Sequence, residues 1–502
     1  MALVLVFLPI IALIFIYYYI LLPTCMHIIS KSPSSPPGPP GLPIIGNLHQ
    51  FDSAELHVFL CKLSKKYGSL MRMKLGSREV VVISSATIAK EALKTHDLAF
   101  SSRPAFMGQQ RLTYNGLDIA FSPYNAYWRE IRKISVLHLF SLRRVKQFQS
   151  IREDEVSQMI NRISKLAFSY QQINLSKIAM SLTSNIICRS AFGLRFNEEG
   201  QEKRRFYKLL NEAQEVLVGG SLVADFLPSF GWIDKLTGKA ALLEKVFKGL
   251  DCFYQELIDK HLQPNRPKSM DDDIIDILLR FMEENSSSAN LTLDHIKAVL
   301  MNVFVAGTDT SAVVIVWAMT ALMKDPRVMN IVQQEIRGFI GEKDNVDEED
   351  IKQLPYFRAV VKETLRVYPP APLLVNRETL SKCTIDEYEI KPKVLVFVNA
   401  WAIARDPEYW ENPDEFYPER FFDSNVDYKG HDFEFIPFGA GRRICPGMIA
   451  GVASAELALA NLLYAFDWEM PSWMKKEDIE TESLPGLAMH KKTPLCLFAK
   501  KV

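Results

Sequence analysis

The sequence predicts a mainly α-helical globular protein with a smaller β portion and an N-terminal transmembrane anchor. An uncharged apolar stretch opens the chain, long segments with helical periodicity dominate its second half, and short β-like runs occur in a few places. The chain has 502 residues, of which 48% are hydrophobic and 24% charged. That is enough apolar chain to bury one large core.

The anchor is predicted from Leu3–Leu22, which carries no charge and has the length that crosses a bilayer core. A cleaved signal peptide would have a basic start, a shorter apolar run and a small-residue cleavage site. We therefore expect a retained anchor over residues 1–29. Residues 30–43 are rich in proline and predict a stiff linker, the alternative being a disordered or SH3-binding tract. Residues 44–502 then form one globular domain.

Composition excludes some classes of function. Lys plus Arg and Asp plus Glu both number 59, and this balance is not that of a nucleic-acid binder. The seven cysteines are widely scattered, and no two have the spacing of zinc ligands. We expect no disulfide framework, which indicates a reducing compartment.

The clearest predicted helix runs from Leu293 to Lys324 and is apolar nearly all round, so it should cross the middle of the core. Thr292 can cap its start. β-like runs are predicted at Leu70–Leu75, Val80–Ser84 and Val394–Val398.

A glycine-rich turn with a cysteine carries the strongest chemical signal. It reads FIPFGAGRRICPG over Phe435–Gly447. Pro446 is a good first helical residue, and an apolar helical run follows from Met448 to Leu463. Cys445 should then lie at a helix N-terminus, where free amides and the dipole stabilise a thiolate. The alternative is an inert thiol in a glycine-rich turn.

The pattern resembles the haem-binding loop of the cytochrome P-450 family, through Phe438, Gly441, Arg443, Cys445 and Gly447. The resemblance implies the cytochrome P-450 fold, with haem b bound in the domain of residues 44–502. It implies that Cys445 is the axial ligand of the iron, that Arg443 pairs with a haem propionate, and that Phe438 packs near the ligand sulfur. A thiolate ligand favours cleavage of the O–O bond.

A polar run inside the long helix resembles the oxygen-activation segment of the same family. By that resemblance Ala306 and Gly307 open a groove for O₂, Thr310 holds the bound oxygen and a water, and Asp309 helps to relay protons. A local bulge in the helix would fit. The alternative is a helix kink with threonine hydroxyls bonded to the preceding turn.

Three further positions match haem-binding sites of the family. The resemblance places Trp128 and Arg132 against a haem propionate, and the alternative is a cation–π pair on an amphipathic helix. It places Arg377 at another propionate, although Asn376 stands where the family often has Pro or His. A structural cluster behind the haem is also implied, formed by Glu363, Arg366 and Arg420.

These features predict a haem-dependent monooxygenase that acts on a small hydrophobic, aromatic plant secondary metabolite. Within the family the sequence is most similar to plant microsomal A-type enzymes that oxidise aromatic aldoximes or hydroxylate coumarins. The resemblance implies that electrons come from NADPH through a separate flavoprotein reductase, and the lack of a dinucleotide fingerprint in the sequence agrees with an external donor. The expected setting is the endoplasmic reticulum membrane, with membrane lipid as a contact and no nucleic acid.

Two other functions stay open at this point: a same-fold enzyme that rearranges or dehydrates an oxime without O₂, and a membrane-anchored binding protein without haem. Basic residues near the cysteine side are candidates for the reductase docking face: Arg129, Lys133 and Arg442. Family position also suggests substrate contacts: Phe106–Leu117, Val303, Ala306, Ala371–Val375 and Leu487.

Overall fold

The computed structural model confirms a mainly helical domain with a smaller β portion. The predicted anchor, residues 1–29, lies outside the residues that the structure describes, as do residues 30–34 of the predicted linker. The described ranges are 35–51, 55–196, 200–218, 222–266, 272–284, 290–422 and 424–502.

The helices form the bulk of the domain, and the longest of them run through its centre. The α-helices are α1 Leu56–Tyr67, α2 Ala86–Lys90, α3 Met107–Leu112, α4 Ala126–Ile134, α5 Leu142–Gln147, α6 Gln149–Phe168, α7 Leu175–Phe192, α8 Gln201–Leu217, α9 Val223–Phe226, α10 Trp232–Leu236, α11 Lys239–His261, α12 Ile274–Glu283, α13 Leu293–Lys324, α14 Pro326–Ile340, α15 Glu348–Ile351, α16 Pro355–Val367, α17 Ala400–Ile403 and α18 Met448–Ala465.

The strands form small sheets at the edges of the helical body. A four-stranded sheet has the order β1-β2-β7-β4, in which β1 and β2 are antiparallel and β2 and β7 are parallel. The other sheets have the orders β3-β9-β8 and β5-β6. The strands are β1 Leu70–Leu75, β2 Arg78–Ile83, β3 Ile173–Asn174, β4 Arg377–Glu378, β5 Cys383–Ile385, β6 Tyr388–Ile390, β7 Leu395–Val398, β8 Phe466–Glu469 and β9 Cys496–Lys501.

Helix α13 has the predicted bounds and crosses the core. Its first half packs in one apolar cluster, with Val299 and Phe304, and its second half in another, with Ile315 and Met319. The expected bulge is not found, because the backbone of α13 stays α-helical from end to end. Helices α13 and α18 are long and apolar enough to cross a membrane, but both are largely buried in the domain.

The described part of the predicted linker lies against the sheet instead of standing free. The carbonyl of Pro37 accepts a hydrogen bond from the Arg72 amide of β1, at 2.8 Å. The side-chain amide of Asn47 donates to the carbonyls of Pro39 and Pro40. Because these prolines have carbonyls but no N–H groups, they can accept bonds from the domain without extending the sheet.

The predicted Glu–Arg–Arg cluster is present. Arg366 donates two hydrogen bonds of 2.7 Å to the carboxylate of Glu363, and both side chains are fully buried. Arg420 contacts the same carboxylate at 3.1 Å. A buried, bidentate pair of this kind keeps its geometry because each partner is satisfied. It ties α16 to the turn at Pro418–Phe421.

Candidate active site

The cysteine loop is shaped by a turn that only a glycine accommodates well. Gly441 has a φ of +70°, and a Cβ there would lie 2.4 Å from the carbonyl oxygen of Leu93. Past this turn, the amide of Cys445 donates to the carbonyl of Phe438 at 3.0 Å. Helix α18 begins at Met448, two residues later than the first helical position predicted at Pro446. The difference arises because residues 446 and 447 form a turn before the helical ladder starts.

The Cys445 thiol is half-buried, and its surroundings act on it in opposite directions. Burial raises the pKa of Cys445, and this is the larger effect. The backbone amides of Gly447 and Met448 bond to the sulfur and lower the pKa, as does the charge of Arg132. Amides at a helix start favour a thiolate. A bound metal cation, which displaces the thiol proton, would therefore find a ligand already aligned.

Arg443 lies close to the loop and is bound to backbone carbonyls alone. Its guanidinium donates to the carbonyls of Ser101 and Ser122, both at 2.7 Å. It also stacks 3.8 Å from the centre of the Trp128 ring. The cation–π partner of Trp128 is thus Arg443, so the alternative of a cation–π pair between Trp128 and Arg132 on one helix does not describe this contact. The Trp128 indole N–H donates to the carbonyl of Ile119 at 2.9 Å.

Arg132 and Arg377 bind the cysteine loop from two other elements. Arg132 on α4 donates to the carbonyl of Ile444 at 2.5 Å. Arg377 on β4 donates to the carbonyl of Ala440 at 3.0 Å. Burial lowers the pKa of both guanidinium groups, for Arg377 to about 10. Both guanidinium groups therefore contact the cysteine loop at positions where burial disfavours their positive charge.

A further arginine beside the site, the buried Arg103, was missed by the sequence reasoning. It donates to the carbonyls of Ala120, Val375 and Asn376. Burial, followed by the charges of Arg443 and Arg377, lowers its pKa well below the ordinary value. The signal available in the sequence was a lone Arg-Pro pair, which carries no distinctive spacing.

The arginine cluster, defined as Arg103, Arg132, Arg377 and Arg443, has an excess of positive charge. Burial and the neighbouring Arg377 lower the pKa of Arg443 to about 9. Because guanidinium groups stay protonated in proteins, these buried positive charges favour an anionic partner. The carboxylate of Asp118 is the acidic group that acts on both Arg103 and Arg443. The cluster therefore suits a ligand with two negative groups.

Asp118 and Asn302 join this region to α13. Asn302 accepts hydrogen bonds from the amides of Ile119 and Ala120, at 2.8 and 3.1 Å. Its own amide donates to Asp118 at 2.9 Å. The clamp holds Ile119, whose carbonyl serves both Trp128 and Arg443. It thus links the arginine cluster to the central helix.

The polar segment of α13 divides between two sides of the helix. Ala306 is exposed although its neighbours Val305 and Phe304 are buried, so its methyl group faces an opening in the core. Thr310 donates to the carbonyl of Ala306 at 2.8 Å, which is the back-bonding alternative. Gly307 lies elsewhere: a Cβ there would be 2.5 Å from the Ile187 side chain of α7. The Cα of Gly307 thus faces α7, at a helix–helix contact.

Asp309 is almost fully buried and has two side-chain partners. The amide of Gln214 on α8 donates to Oδ2, and Nε2 of His490 lies 3.2 Å from the same oxygen. Oδ1 is buried and has no hydrogen-bond partner among the described residues. A hydrogen bond between Ser311 and the carbonyl of Gly451 then joins this part of α13 to α18, close to the cysteine loop.

Comparison with known proteins decides the family. The sequence model of the family described as Cytochrome P450 matches residues 36–498. The chain belongs to the cytochrome P450 family. As a P450 monooxygenase it uses haem, and the thiol, the arginine cluster and the opening at Ala306 form a site that fits an iron porphyrin with two carboxylates.

Plant P450s are among the most similar relatives of this enzyme. It is 51% identical to a 5-OH-xanthotoxin synthase of Ammi majus and 50% identical to a 6,7,8-trihydroxycoumarin synthase of Pastinaca sativa, in each case over 93% of both chains. It is 47% identical to a strychnine-11-hydroxylase of Strychnos nux-vomica, over 92% of this chain and 91% of the relative.

Solved P450 structures share the fold. A zebra fish cytochrome P450 with abiraterone gives a TM-score of 0.74 at 22% identity, over 89% of this chain and 99% of that one. A second structure with progesterone gives a TM-score of 0.75 at 23% identity, over 88% and 99%. At this identity the likeness concerns the P450 fold alone.

Proposed function

We propose that this P450 hydroxylates a flat aromatic compound of the coumarin class, with its haem iron held by Cys445. The observation that carries the proposal is the joint placement of a half-buried thiol bonded by helix-start amides and the arginine cluster, in which Arg103 and Arg443 share the acidic neighbour Asp118. A metal cation would bind the thiolate sulfur, and the two carboxylates of a dianionic ring system would form ion pairs with the arginines.

Within this proposal the arginine cluster binds the two haem propionates. Arg443 and Arg377 donate N–H groups to backbone carbonyls, and these hydrogen bonds fix the orientation of each guanidinium plane. The ring of Trp128 stacks on the guanidinium of Arg443 and helps to hold it in place. Phe438 provides the carbonyl that fixes the Cys445 amide, and its ring packs edge-on against Tyr428. The bound haem supplies the redox chemistry of dioxygen.

Thr310 and Asp309 handle protons beside the opening at Ala306. Thr310 has a hydroxyl that donates to Ala306 in the resting helix and can donate to a ligand after a rotation about χ1. Asp309 has one buried carboxylate oxygen, Oδ1, that has no hydrogen-bond partner within the described part of the chain. Splitting dioxygen consumes two protons in a site that excludes bulk water, so placed donors of this kind are needed.

The proposed substrate class rests on the relatives and on the walls of the site. Two relatives at 50–51% identity are named for products related to coumarin and xanthotoxin. Apolar side chains of Val303, Val375 and Leu487 pack in one cluster that extends along α13 to Val305, the residue before Ala306. Such walls suit a flat hydrophobic ring system bound mainly by apolar contact.

The haem assignment is tested by the absorption spectrum of the reduced, CO-treated protein. We expect a thiolate-type band for the wild-type enzyme and its loss in Cys445→Ala. Cys383→Ala is the matched control, because Cys383 is a half-buried cysteine on β5 and should keep the band. A thiolate band that survives in Cys445→Ala would overturn the assignment.

The substrate class is tested by spectral titration with coumarin, xanthotoxin, strychnine and an aromatic aldoxime. We expect coumarin or xanthotoxin to shift the haem spectrum at the lowest concentration and to give a product with one added oxygen atom in the presence of NADPH. Tighter binding of the aldoxime, and its conversion without NADPH, would instead favour rearrangement or dehydration chemistry.

We also propose that electrons come from NADPH through a membrane-bound flavoprotein reductase that docks beside α4. Arg129 and Lys133 are exposed and stand four residues apart on this helix, whose Arg132 reaches the cysteine loop. Arg442 is half-exposed and paired with Asp97 at 2.8 Å. The double variant Arg129→Glu, Lys133→Glu should slow reductase-driven turnover, while chemical reduction by dithionite stays unchanged. Equal slowing of both would exclude a docking role.

Attachment to the endoplasmic reticulum membrane is proposed through the N-terminal segment and one exposed apolar area. Ile44 and Trp232 are 67% and 55% exposed. The turn at residues 76–77 hydrogen-bonds the carbonyls of both Ile45 and Phe226, so the two apolar sites lie on one side of the domain. A protein without residues 1–29 should still bind liposomes, and Trp232→Glu should weaken that binding. Liposome binding that is independent of Trp232 would contradict this part.

A further inference from the structure

The carboxylate of Asp309 stands where three elements meet. Asp309 belongs to α13, Gln214 to α8, and His490 to the C-terminal hairpin closed by the Ser483–Lys491 bridge. Both partners contact Oδ2, and Oδ1 is left without a hydrogen-bond partner among the described residues. A carboxylate in this state can accept a proton or a water on its free oxygen.

His490 connects this buried carboxylate to the surface. Its side chain is 29% exposed, whereas that of Asp309 is 5% exposed. The distance from Nε2 to Oδ2 is 3.2 Å, short enough for direct transfer of a proton. Imidazole is the side chain that gains and loses protons most readily near neutral pH. A proton can therefore pass from solvent to the buried Asp309 through His490 alone.

The position of the imidazole is set by the backbone on both sides of it. The indole of Trp317, two turns along α13 from Asp309, donates to the carbonyl of Met489 at 2.6 Å. The amide of Met489 donates to Pro370 at 2.8 Å, and the carbonyl of His490 accepts from Leu484 at 2.7 Å. The hairpin is thus hydrogen-bonded to the helix that carries Asp309, and these bonds hold His490 beside the carboxylate.

We propose that His490 is the solvent-side proton donor to Asp309, and that Gln214 holds the carboxylate in place to receive the proton. The inference rests on the proposed monooxygenase function. Each turnover combines substrate, O₂, two electrons from the reductase and two protons, and yields hydroxylated product and water. His490 passes its Nε2 proton to Asp309 and is reprotonated by solvent, and Asp309 passes a proton on beside Thr310. His490 is thus a positioning residue that acts through Asp309.

His490→Gln and His490→Leu separate a proton carrier from a hydrogen-bond donor. Glutamine keeps an N–H group but cannot carry a proton from solvent, and leucine has neither property. We expect both variants to keep the thiolate-type CO spectrum and the substrate-induced shift. Both should lose several-fold more NADPH electrons as hydrogen peroxide and show a larger solvent deuterium isotope effect on product formation.

Lys492→Gln is the matched control, since Lys492 is an exposed residue of the same hairpin that pairs with Glu482. It should behave like the wild type in both measurements. Wild-type coupling in His490→Gln would show that a hydrogen bond suffices and would overturn the relay. If His490→Leu does not fold, His490→Gln decides the question alone.

A second measurement does not depend on turnover. Carbethoxylation of His490, followed by mass spectrometry of its peptide, should be several-fold faster in Asp309→Ala, because Nε2 is then no longer engaged. Equal rates in both proteins would show that the pair is not formed in solution, and would overturn the inference. A wild-type enzyme without NADPH-driven turnover would instead refute the proposed function and leave this measurement intact.

Discussion

Replacing Asn302 by alanine should loosen the loop that holds the arginine cluster. The change leaves the buried amide of Ile119 without its acceptor, which costs about 1–3 kcal/mol. It also removes the hydrogen bond to the carboxylate of Asp118, worth about 1.5–3 kcal/mol. The amide of Ala120 keeps its second acceptor, Asp118, at 3.0 Å. Because the two hydrogen bonds belong to one network and their costs are not fully additive, we expect the free energy of unfolding to fall by about 2–5 kcal/mol.

The assay for Asn302→Ala combines the melting midpoint of the holoenzyme with its CO spectrum. A domain of this size has an unfolding entropy of about 1 kcal/mol per degree, so the midpoint should fall by about 2–5 °C. Because Ile119 positions Arg443 and Trp128, the variant should also lose haem faster on dilution with a competing apo-haem protein.

Asn461→Ala is the matched control for this prediction. The Asn461 side chain also accepts a hydrogen bond from one backbone amide and donates hydrogen bonds to two backbone carbonyls. It lies far from the cysteine, about four helical turns further along α18. It should lower the melting midpoint without changing haem loss. An Asn302→Ala protein that melts like the wild type, or equal haem loss in both variants, would refute the reasoning.

Three further predictions follow from buried charges. Arg103→Met should weaken haem retention more than Arg103→Lys, measured as the ratio of haem to protein after gel filtration; equal retention in both variants would exclude a role for the charge. Glu363→Ala should abolish folded, haem-loaded protein on expression, since an unpaired Arg366 costs about 3–5 kcal/mol; normal yield would contradict this cost. Burial raises the pKa of Glu456 to about 7 from its ordinary 4.5. The folded state then holds a proton that the unfolded state has released, so stability falls as pH rises between these values, by about 1–3 kcal/mol. Glu456→Gln should remove this loss in melting scans between pH 5 and 8, and an unchanged pH profile would refute it.

Elements with strong local patterns were predictable from the sequence. Helix Leu293–Lys324 has the predicted bounds because its apolar residues cover nearly the whole helix surface and Asp325-Pro326 ends it. Strand Leu70–Leu75 also has its predicted bounds. The start of α18 was placed two residues early, because a turn after Cys445 competes with helix formation and local propensity does not decide between them.

Contacts between distant segments were not predictable in this way. Trp128 stacks on Arg443 rather than on the nearby Arg132, because the two loops meet only in the folded domain. The contact of Gly307 with Ile187 likewise depends on where α7 lies in the folded domain. Arg103 had no motif at all, and its carbonyl partners come from two remote segments.

The sequence by itself determined the helical architecture and the family, and it singled out the cysteine loop. These depend on periodicity and on a short run of residues that are neighbours along the chain, Phe435–Gly447. Only the tertiary structure decided which charges stand together: Arg103 with Arg443 around one face of the site, and Asp309 with His490 at another. Electrostatic interactions depend on distance in space, and for these pairs the chain separation carries no information about that distance.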